Sequence, residues 1–572
     1  MGRTRAPPPE SASLPAVAAM NFDPRRHALP LATLWWALLM AAVVAFRPLT
    51  PVDETRYATV AWEIWQTGDW LSLRLNGALY GDKPPLLFWL INLGWWVFGP
   101  NEWWPRLLSG LFALGALALV VALARRLAPG RDDIVAMCLL ISASTFYWMG
   151  FTGAVMFDLM LTFFVLLGVL GVAWAGDGGG LRAWALTGLA VGLGILTKGP
   201  VALVHVLPVA VLAPWWRRGR SGSSGRIPGS WAGWYRGVGL AVLTAALVAL
   251  AWAIPAAVAG GEAFRREIFW NQSVDRIATT AHHLQPFWFY AAMLPVLMLP
   301  WLFLPAAWRA VLALVRFGPS PGVRFALAWS GAAFLAFSAF RGKQVQYLLP
   351  EVPAIAFVLA SGLVAAGGRI RRADAWVAAA LFAALAVLLL ALTRHPRVMH
   401  LVPPDKLPLL GWSVAALVLA ALAVALAPWR EGVRAVAVIG SASVLAMAGA
   451  YAGFGRVAFD VYDLHPVSRH LAAVQRDGQV IAHSGKYHGQ YQFIGRLARP
   501  LVAVEGRQPL LDWAAGQPDG RVVLYSAAPL VHAAGGRPEF EQKFKGRWVS
   551  VWRAADLPGV SDGWYRQRDD SD

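Results

Sequence analysis

The sequence predicts a polytopic α-helical membrane protein with a small soluble α/β domain at its C-terminal end. Hydrophobic residues make up 58% of the 572 residues and charged residues only 14%, a balance outside the usual range of soluble globular domains. Apolar runs long enough to cross a bilayer of about 30 Å recur from Leu31 onward, with arginine clusters in the loops between them. Residues 454–572 are polar and mixed in character, so they are predicted to fold outside the membrane.

The net charge of +18 does not indicate binding to nucleic acid. Only 7 of the 50 basic residues are lysine, and most of the arginines flank apolar runs, as the positive-inside rule describes. The single cysteine, Cys138, lies within an apolar run, which excludes a disulfide framework and a cysteine metal cluster. The membrane part carries no glycine-rich phosphate loop after a strand, so nucleotide chemistry has no support.

The positive-inside rule orients thirteen predicted spans. The apolar run 85–99 has only fifteen residues, and counting it as a span would place Arg125 and Arg126 outside. It is therefore predicted to lie in the outer interface. The later spans then alternate with arginine-rich inner loops, and the spans with the clearest limits are 31–48, 106–124, 133–150, 159–175 and 237–258.

This topology divides the chain into three parts. Residues 1–30 are predicted to be a cytoplasmic tail, with Met20 as an alternative start. Residues 31–453 form the membrane domain, and its first outer loop, 49–105, carries interfacial helices. Residues 454–572 form the α/β domain on the outer side.

The distribution of charge predicts an ionic cavity that opens outward. All four lysines of the membrane part map to the outer face, against the bias of arginine, and seven acidic residues map there too. Charged groups at a membrane surface cost free energy unless they meet each other or a ligand. The lysines are Lys83, Lys198, Lys343 and Lys406, and the acidic residues are Asp53, Glu54, Glu63, Asp69, Asp82, Glu102 and Asp158.

The stretch "VDETRYATVAWEI" (52–64) predicts a helix along the outer interface, because Tyr57, Ala61 and Ile64 fall at helical spacing. Asp53 stands at its start, where the role of a helix N-cap would also explain it. An N-cap does not explain a second carboxylate at Glu54. We therefore favour a functional pair of carboxylates here.

The stretch "YGDKPPLLFW" (80–89) places Asp82 and Lys83 before two prolines that force an extended turn. A lysine at the mouth of a cavity suits an anionic group such as a phosphate. The alternative is a lysine that snorkels at a helix end. The acidic neighbours favour the functional interpretation.

Further along the chain, isolated charges border apolar runs. Asp158 needs a partner or a role, although capping the next helix is the plain alternative. Lys198 in "LTKGP" is either a ligand-binding residue or an interfacial anchor. Lys343 and Tyr347 precede a span interrupted by prolines, which either lines the cavity or carries a packing kink.

A long outer loop is predicted over 260–286, and it contains adjacent histidines. A histidine near Asp82 could share a metal ion with it, but two neighbouring histidines without partners at fixed spacing are more typical of an ordinary loop. The polar residues of interest in this loop are Asn271, Arg276, His282 and His283.

These motifs together resemble the bacterial members of the protein O-mannosyltransferase superfamily, most closely the aminoarabinose transferases that modify lipid A. The matching motifs run in family order from about residue 50 to 353. They are Asp53-Glu54 with Arg56-Tyr57, "GDW" (68–70), "LNG" (75–77) with Tyr80, "DKPPLLFW", "RLLSGLFA", Asp158 with "LTFF", "LTKGP" and "KQVQYLLPEVP".

The resemblance implies a GT-C fold with thirteen spans and an outer soluble domain. It implies a glycosyltransferase that moves a sugar, such as 4-amino-4-deoxy-L-arabinose, from a polyprenyl (undecaprenyl) phosphate donor to lipid A. The enzyme would lie in the bacterial inner membrane as a monomer, with its active site facing the periplasm. A protein or glycan acceptor is the alternative. A lipid-linked sugar flippase is a second one, but the inner loops carry few acidic residues for a polar path.

The resemblance also implies roles for residues. Asp53 corresponds to the key carboxylate, as a base or as an orienting group, and Lys83 to the residue that holds a phosphate. The family usually has Glu before Lys-Pro-Pro, and the shorter Asp82 weakens the expectation of a divalent metal shared with His283; no other cofactor is expected. The segment "SGKYHGQYQF" (484–493) is expected to contact the acceptor. The predicted catalytic residues are Asp53, Glu54, Lys83 and Asp158, and the predicted substrate-binding residues are Arg56, Tyr57, Tyr80, Lys198, Arg276, Lys343 and Tyr347.

Overall fold

A computed structural model describes the protein over residues 24–218, 230–269, 284–395, 404–427 and 432–564. Within these ranges, ten helices are long and apolar enough to cross a membrane. The helices of the membrane part are α1 (Pro24–Phe46), α2 (Asp53–Thr67), α3 (Leu86–Phe98), α4 (Trp103–Leu127), α5 (Asp132–Ser144), α6 (Phe146–Phe151), α7 (Asp158–Gly176), α8 (Gly180–Lys198), α9 (Val201–Val211), α10 (Ala213–Trp216), α11 (Trp231–Arg266), α12 (Phe289–Leu297), α13 (Pro305–Phe317), α14 (Pro321–Ala339), α15 (Val352–Ala365), α16 (Arg372–Arg394), α17 (Leu410–Leu426), α18 (Gly432–Ala450) and α19 (Arg456–Asp460).

Three of the thirteen predicted spans are interrupted. The third breaks after α5 at Thr145, whose ψ of 127° is extended, and resumes as α6. The predicted span before the loop at 219–229 is split into α9 and α10, and the predicted span that ends near Arg316 continues from α12 into a 3-10 turn at Trp301–Phe303. Pro208 and Pro295 lie inside these helices, where a proline removes a backbone hydrogen bond. The count of thirteen therefore stays a prediction, and so does the interfacial position of the short apolar α3.

Two predicted limits need correction. The outer loop does not begin at residue 260, because α11 continues to Arg266 across a kink at Gly261, where φ is 76°. Glycine tolerates this left-handed conformation at little cost. The predicted domain boundary at 453 falls inside a helical run, because α18 continues through a π-helical turn at Tyr451–Gly455 into α19.

Small residues bring the membrane helices close together. A Cβ atom at Gly188 of α8 would lie 2.5 Å from the carbonyl oxygen of Ala241 on α11, and one at Gly362 of α15 would lie 2.6 Å from the carbonyl oxygen of Ala310 on α13. Such contacts are typical of helices that pack in membranes. Small residues let the two backbones approach closely, and the van der Waals attraction between them stabilises the helix pair.

The C-terminal part is an α/β unit built on one mixed sheet. The strand order is β4-β3-β5-β7-β6, with β3 parallel to β4 and β5 and with β7 antiparallel to β5 and β6. The two short strands of the first outer loop, β1 and β2, form a separate hairpin. The elements are β1 (Arg74–Leu75), β2 (Ala78–Leu79), α20 (His465–Arg476), β3 (Ile481–Ser484), α21 (Gln492–Gly495), β4 (Val502–Val504), α22 (Arg507–Gly516), β5 (Arg521–Ser526), β6 (Phe540–Phe544) and β7 (Arg547–Arg553).

Alternate residues of the central strands fill two separate cores. On β5, Val523 packs with α20 on one face of the sheet, whereas Val522 and Leu524 pack with α22 on the other. This alternation follows from the pleat of a strand, in which successive side chains point to opposite faces. The unit therefore covers both faces of its sheet, as the predicted α/β character requires.

The α/β unit packs against the first outer loop through specific contacts. Phe493 is fully buried and stacks on Trp95 of α3, with ring centroids 4.7 Å apart. Asn76 exchanges two hydrogen bonds of 2.8 Å with the backbone of Leu501. Trp62 of α2 donates from its indole N–H to the carbonyl oxygen of Leu497 at 3.1 Å. These contacts fix the unit over α2, where the candidate site begins.

Candidate active site

Asp53 is an accessible carboxylate at the first position of α2. The N-cap position is Val52, so Asp53 is not the N-cap of this helix. Its side chain is 53% exposed, and its carboxylate lies 3.8 Å from the guanidinium of Arg56. The partial positive charge of a helix N-terminus favours a negative charge there. The Asp53 carboxylate can therefore face solvent or a ligand.

Tyr57 contacts both Asp53 and the segment that precedes α7. Its hydroxyl donates to the Asp53 carboxylate at 3.5 Å, and its ring meets Phe157 edge-on at 4.8 Å. Burial first, and then the charge of Asp53, raise the pKa of Tyr57 well above its usual value, so the hydroxyl stays protonated and donates. Phe88 also contacts Phe157, and Tyr80 contacts Phe88, so the two predicted tyrosines share one aromatic cluster.

Asp158, Lys198 and Tyr347 are brought together, as the prediction of one outer cavity requires. Asp158 starts α7 and Lys198 ends α8, so the antiparallel pair of helices places both at the same end. Their carboxylate and ammonium groups are 2.5 Å apart, with the side chains only 2% and 15% exposed. The ammonium of Lys198 also lies 5.1 Å from the centroid of the Tyr347 ring, a distance at which a cation is attracted to an aromatic face.

Glu54 is paired with Arg47, so its predicted catalytic role stays a prediction without support from its position. It is buried, and both of its oxygens accept hydrogen bonds from the guanidinium of Arg47, at 2.6 and 2.8 Å. Backbone N–H groups of Thr50 and Val155 complete its surroundings at 2.9 and 3.1 Å. Glu54 thus ties the end of α1 to the segment before α7, and the interpretation of the two neighbours as one catalytic pair is not supported by their geometry.

The turn that carries Asp82 and Lys83 lies between β2 and α3, with both residues half-buried. The residue after α11, Glu267, packs against this turn: a Cβ atom at Gly81 would lie 2.1 Å from its Cγ. The sequence did not single out Glu267, because the kinked continuation of α11 past Gly261 was not predicted.

Metal binding stays a prediction. Among the described residues, no three His, Cys, Asp or Glu side chains come together as metal ligands. Asp82 is described, whereas its predicted partner His283, together with Asn271, Arg276 and His282, lies outside the described residues. Asp82 alone does not make a metal site.

The ammonium of Lys343 is bonded to backbone carbonyl groups and is not open to a ligand. Its ammonium donates to the carbonyl oxygen of Gln285 at 2.9 Å and to that of Phe340, and the side chain is buried. These bonds close the turn between α14 and the 3-10 helix Val345–Glu351. Its predicted role in substrate binding remains a prediction, and the geometry adds a role in holding the segment that carries Tyr347.

Comparison with known proteins shows which family the chain belongs to. The profile of the dolichyl-phosphate-mannose-protein mannosyltransferase family matches residues 82–225. The undecaprenyl phosphate-α-4-amino-4-deoxy-L-arabinose arabinosyl transferase of Pseudomonas paraeruginosa is 35% identical over 357 residues, which are 59% of this chain and 61% of that protein. The transferase of the same name from Erwinia tasmaniensis is 30% identical over 405 residues, 65% of this chain and 67% of that protein. The chain belongs to this arabinosyl transferase family.

The sequence match covers part of the chain, whereas the structural match covers most of it. The chain spans about three-fifths of the first of these relatives, 61%. The structure of ArnT from Cupriavidus metallidurans in the apo state has a TM-score of 0.72 and 20% identity, covering 92% of this chain and 98% of that one. The structure of the same protein bound to undecaprenyl phosphate has a TM-score of 0.70. The predicted GT-C fold of the arabinosyl transferase family is thus confirmed.

Sequence reasoning singled out the segment 484–493 but missed which of its residues contact α2. The carbonyl oxygen of Gly489 accepts from the hydroxyl of Thr59 on α2 at 2.6 Å, and Nδ1 of His488 lies 3.4 Å from the guanidinium of Arg56. More than 400 residues separate these partners, so no local pattern could reveal the pairing. In this chain, "SGKYHGQYQF" therefore packs against α2, which carries the candidate carboxylate Asp53.

Proposed function

We propose that the protein transfers a sugar of the 4-amino-4-deoxy-L-arabinose type from undecaprenyl phosphate to lipid A. The observation that carries the proposal is the arrangement around Asp53. In a chain of the arabinosyl transferase family, this accessible carboxylate accepts a hydrogen bond from Tyr57, whose ring contacts Phe157. The next residue in the chain is the buried Asp158, which pairs with Lys198. The names of the relatives supply the donor class and the sugar.

Cations are needed where the donor phosphate leaves. When the bond between the sugar C1 and the phosphate oxygen breaks, both electrons depart with undecaprenyl phosphate, and fixed positive charge stabilises them. We assign this role to Lys83 and Lys198. Asp158 holds the ammonium of Lys198 at 2.5 Å, which keeps that charge in place before the reaction.

For transfer to the acceptor, orienting the acceptor phosphate matters more than removing a proton from it. A lipid A phosphate is already anionic at neutral pH, so its oxygen can form the new bond to C1 without a general base. Attack opposite the leaving phosphate inverts the configuration at C1. Asp53 then acts on the acceptor through Arg56, whose guanidinium lies 3.8 Å from it and suits the geometry of phosphate oxygens.

We also propose a membrane location and an oligomeric state for the enzyme. It lies in the bacterial inner membrane with Asp53 facing the periplasm, because the arginine-rich loops then face the cytoplasm. It acts as a monomer, and this is supported by a site to which α2, α7, α8 and the α/β unit of one chain all contribute.

The test uses purified protein with undecaprenyl phosphate-aminoarabinose and lipid A. Wild-type protein is expected to add a pentosamine mass to a lipid A phosphate, and Asp53→Asn is expected to add none while its thermal unfolding stays unchanged. Full transfer by Asp53→Asn would contradict the site. Transfer to a glycan or peptide, with none to lipid A, would contradict the acceptor and leave the donor class in place.

A further inference from the structure

We infer that the buried pair of His205 and Glu351 positions Tyr347 over Lys198, and that the pair thereby controls how well the enzyme binds its donor phosphate. This inference rests on the proposed function and extends it, because it adds two positioning residues behind the proposed donor cation. His205 lies on α9, and Glu351 is the last residue of the 3-10 helix Val345–Glu351, which carries Tyr347.

The pair is enclosed within two apolar segments of the membrane part. The side chains of His205 and Glu351 are 0% and 1% exposed, and Nδ1 of His205 lies 2.6 Å from a carboxylate oxygen of Glu351. Ionisable side chains inside membrane segments are costly and mark functional positions. A well-packed apolar pair would fill the same space without that cost.

Both partners also keep an unsatisfied polar atom. Within the described part of the chain, Nε2 of His205 and the second carboxylate oxygen of Glu351 are buried and have no hydrogen-bond partner. A buried polar atom without a partner lowers the stability of the fold. Stability alone therefore does not account for this pair, and a contribution to the nearby site does.

Aromatic contacts connect His205 with that site. Its ring centroid lies 5.1 Å from that of Phe337, and the Phe337 centroid lies 5.7 Å from that of Tyr347. The Tyr347 ring lies 5.1 Å from the ammonium of Lys198, which Asp158 holds in place. Because protein interiors are close-packed, a shift of the His205 ring would displace the rings that it contacts.

The backbone brings the same residues together. Lys198 ends α8, and α9 begins three residues later and carries His205. The hydrogen bond to Glu351 therefore joins the helix that follows Lys198 to the 3-10 helix that carries Tyr347. Both sides of the contact between the Lys198 ammonium and the Tyr347 ring are thus fixed by the pair.

The opposite end of the 3-10 helix has its own contacts. The hydroxyl of Tyr290 donates to the carbonyl oxygen of Gln344, the residue before this helix, at 2.9 Å. Within the helix, Pro350 has no backbone N–H to donate, and 3-10 hydrogen bonds have poorer geometry than α-helical ones. The Glu351 side chain therefore supplies a fixed contact at the end where the backbone supplies less.

The test compares full-length, detergent-purified variants by donor KM, acceptor KM and thermal unfolding. His205→Leu combined with Glu351→Leu removes the hydrogen bond and leaves an apolar pair, a change that buried ion pairs often accept without loss of stability. We expect the KM for undecaprenyl phosphate-aminoarabinose to rise about tenfold, which corresponds to about 1.4 kcal/mol, with the KM for lipid A unchanged. Glu351→Gln is expected to keep the donor KM of the wild type, because its amide oxygen still accepts a hydrogen bond from His205.

Two comparisons separate positioning from a general loosening of the membrane part. Adding the double substitution to Lys198→Gln should raise the donor KM no further than Lys198→Gln alone, since the pair acts through Lys198. Asp374→Asn is the matched control, because Asp374 is fully buried and pairs with Arg309 at 2.5 Å between α13 and α16. It should lower the unfolding temperature and leave the donor KM unchanged.

Each outcome supports or overturns the positioning role. An unchanged donor KM in the folded double variant, an equal rise of both KM values, an equal rise in Asp374→Asn or an additive effect with Lys198→Gln overturns it. If the double variant does not fold, Phe337→Leu decides, because it interrupts the ring contacts between His205 and Tyr347: a raised donor KM supports the role and an unchanged one overturns it. Wild-type protein that transfers nothing to lipid A overturns the proposed function itself, and that result is obtained before any variant is compared.

Discussion

At the scale of single residues, two neighbouring carboxylates have opposite environments. Asp53 is half-exposed at the start of α2, whereas Glu54 is buried with Arg47. Successive residues of a helix point in directions about 100° apart, so one faces the site and the other faces the end of α1. Sequence proximity therefore did not imply a shared role.

Glu54 is predicted to be a determinant of stability. Glu54→Gln removes the charge that pairs with buried Arg47, and breaking a buried ion pair on one side costs about 3–5 kcal/mol. We expect a clear drop in the thermal unfolding temperature of the detergent-purified protein. Asp53→Asn is the control and should unfold like the wild type. Equal unfolding temperatures for Glu54→Gln and the wild type would contradict the structural role.

Asp158 and Lys198 are predicted to act as one unit. Residues in direct contact show coupling energies of about 0.5–3 kcal/mol in double-mutant cycles, and this pair is buried at 2.5 Å. The KM for the donor should rise in Asp158→Asn and in Lys198→Gln, and the double variant should be no worse than the more damaging single one. Strict additivity of the two effects would show that the residues work independently.

At the scale of elements, the contact between α2, α3 and the α/β unit shapes the outer side of the site. Phe493 is the anchor, since it is fully buried in a core that also contains Tyr57 and Trp95. The same unit contributes the loop with His488. Movement of the unit would therefore disturb the surroundings of Asp53.

Removing this anchor is predicted to loosen the α/β unit. Phe493→Ala deletes a buried aromatic ring, which costs about 3–5 kcal/mol. Limited proteolysis should cleave the C-terminal unit of the variant faster than that of the wild type, and transfer should fall with it. Val531→Ala is the control, because Val531 is 68% exposed and such changes stay within about 0.5 kcal/mol. Identical cleavage rates for both variants would exclude the anchoring role.

A histidine makes the same junction sensitive to pH. His465 lies between Asp463 and Glu102, at 2.6 and 2.7 Å, and hydrogen bonds to Asp463 and then Glu102 raise its pKa to about 9. The folded-state pKa of His465 thus lies above the unfolded-state value of about 6.5. Protonation of His465 therefore stabilises the fold fully below about pH 6.5, and this stabilisation is lost as the pH rises through about 9. The unfolding temperature of wild type should therefore fall between pH 7 and 10 more steeply than that of His465→Gln. Parallel pH profiles would contradict this.

At the scale of the whole molecule, hydropathy predicted the long apolar helices, whereas the outer position of the ionic residues stays a prediction from arginine placement. The ends of α7 and α8 bring Asp158 and Lys198 together as expected, because an antiparallel pair places its loop-side ends side by side. The kinked extension of α11 and the break at Thr145 were not predicted, since helix breaks inside apolar runs leave little trace in hydropathy. The packing of Phe493 on Trp95 depends on contacts across about 400 residues, which a single sequence does not reveal.

The most direct measurement is mass spectrometry of lipid A from cells with and without this protein. We expect a pentosamine-sized increment on the lipid A phosphates that is lost when the protein is absent, restored by the wild-type gene, and not restored by Asp53→Asn. An unchanged lipid A profile in cells that lack the protein would contradict the proposed acceptor, and restoration by Asp53→Asn would contradict the site.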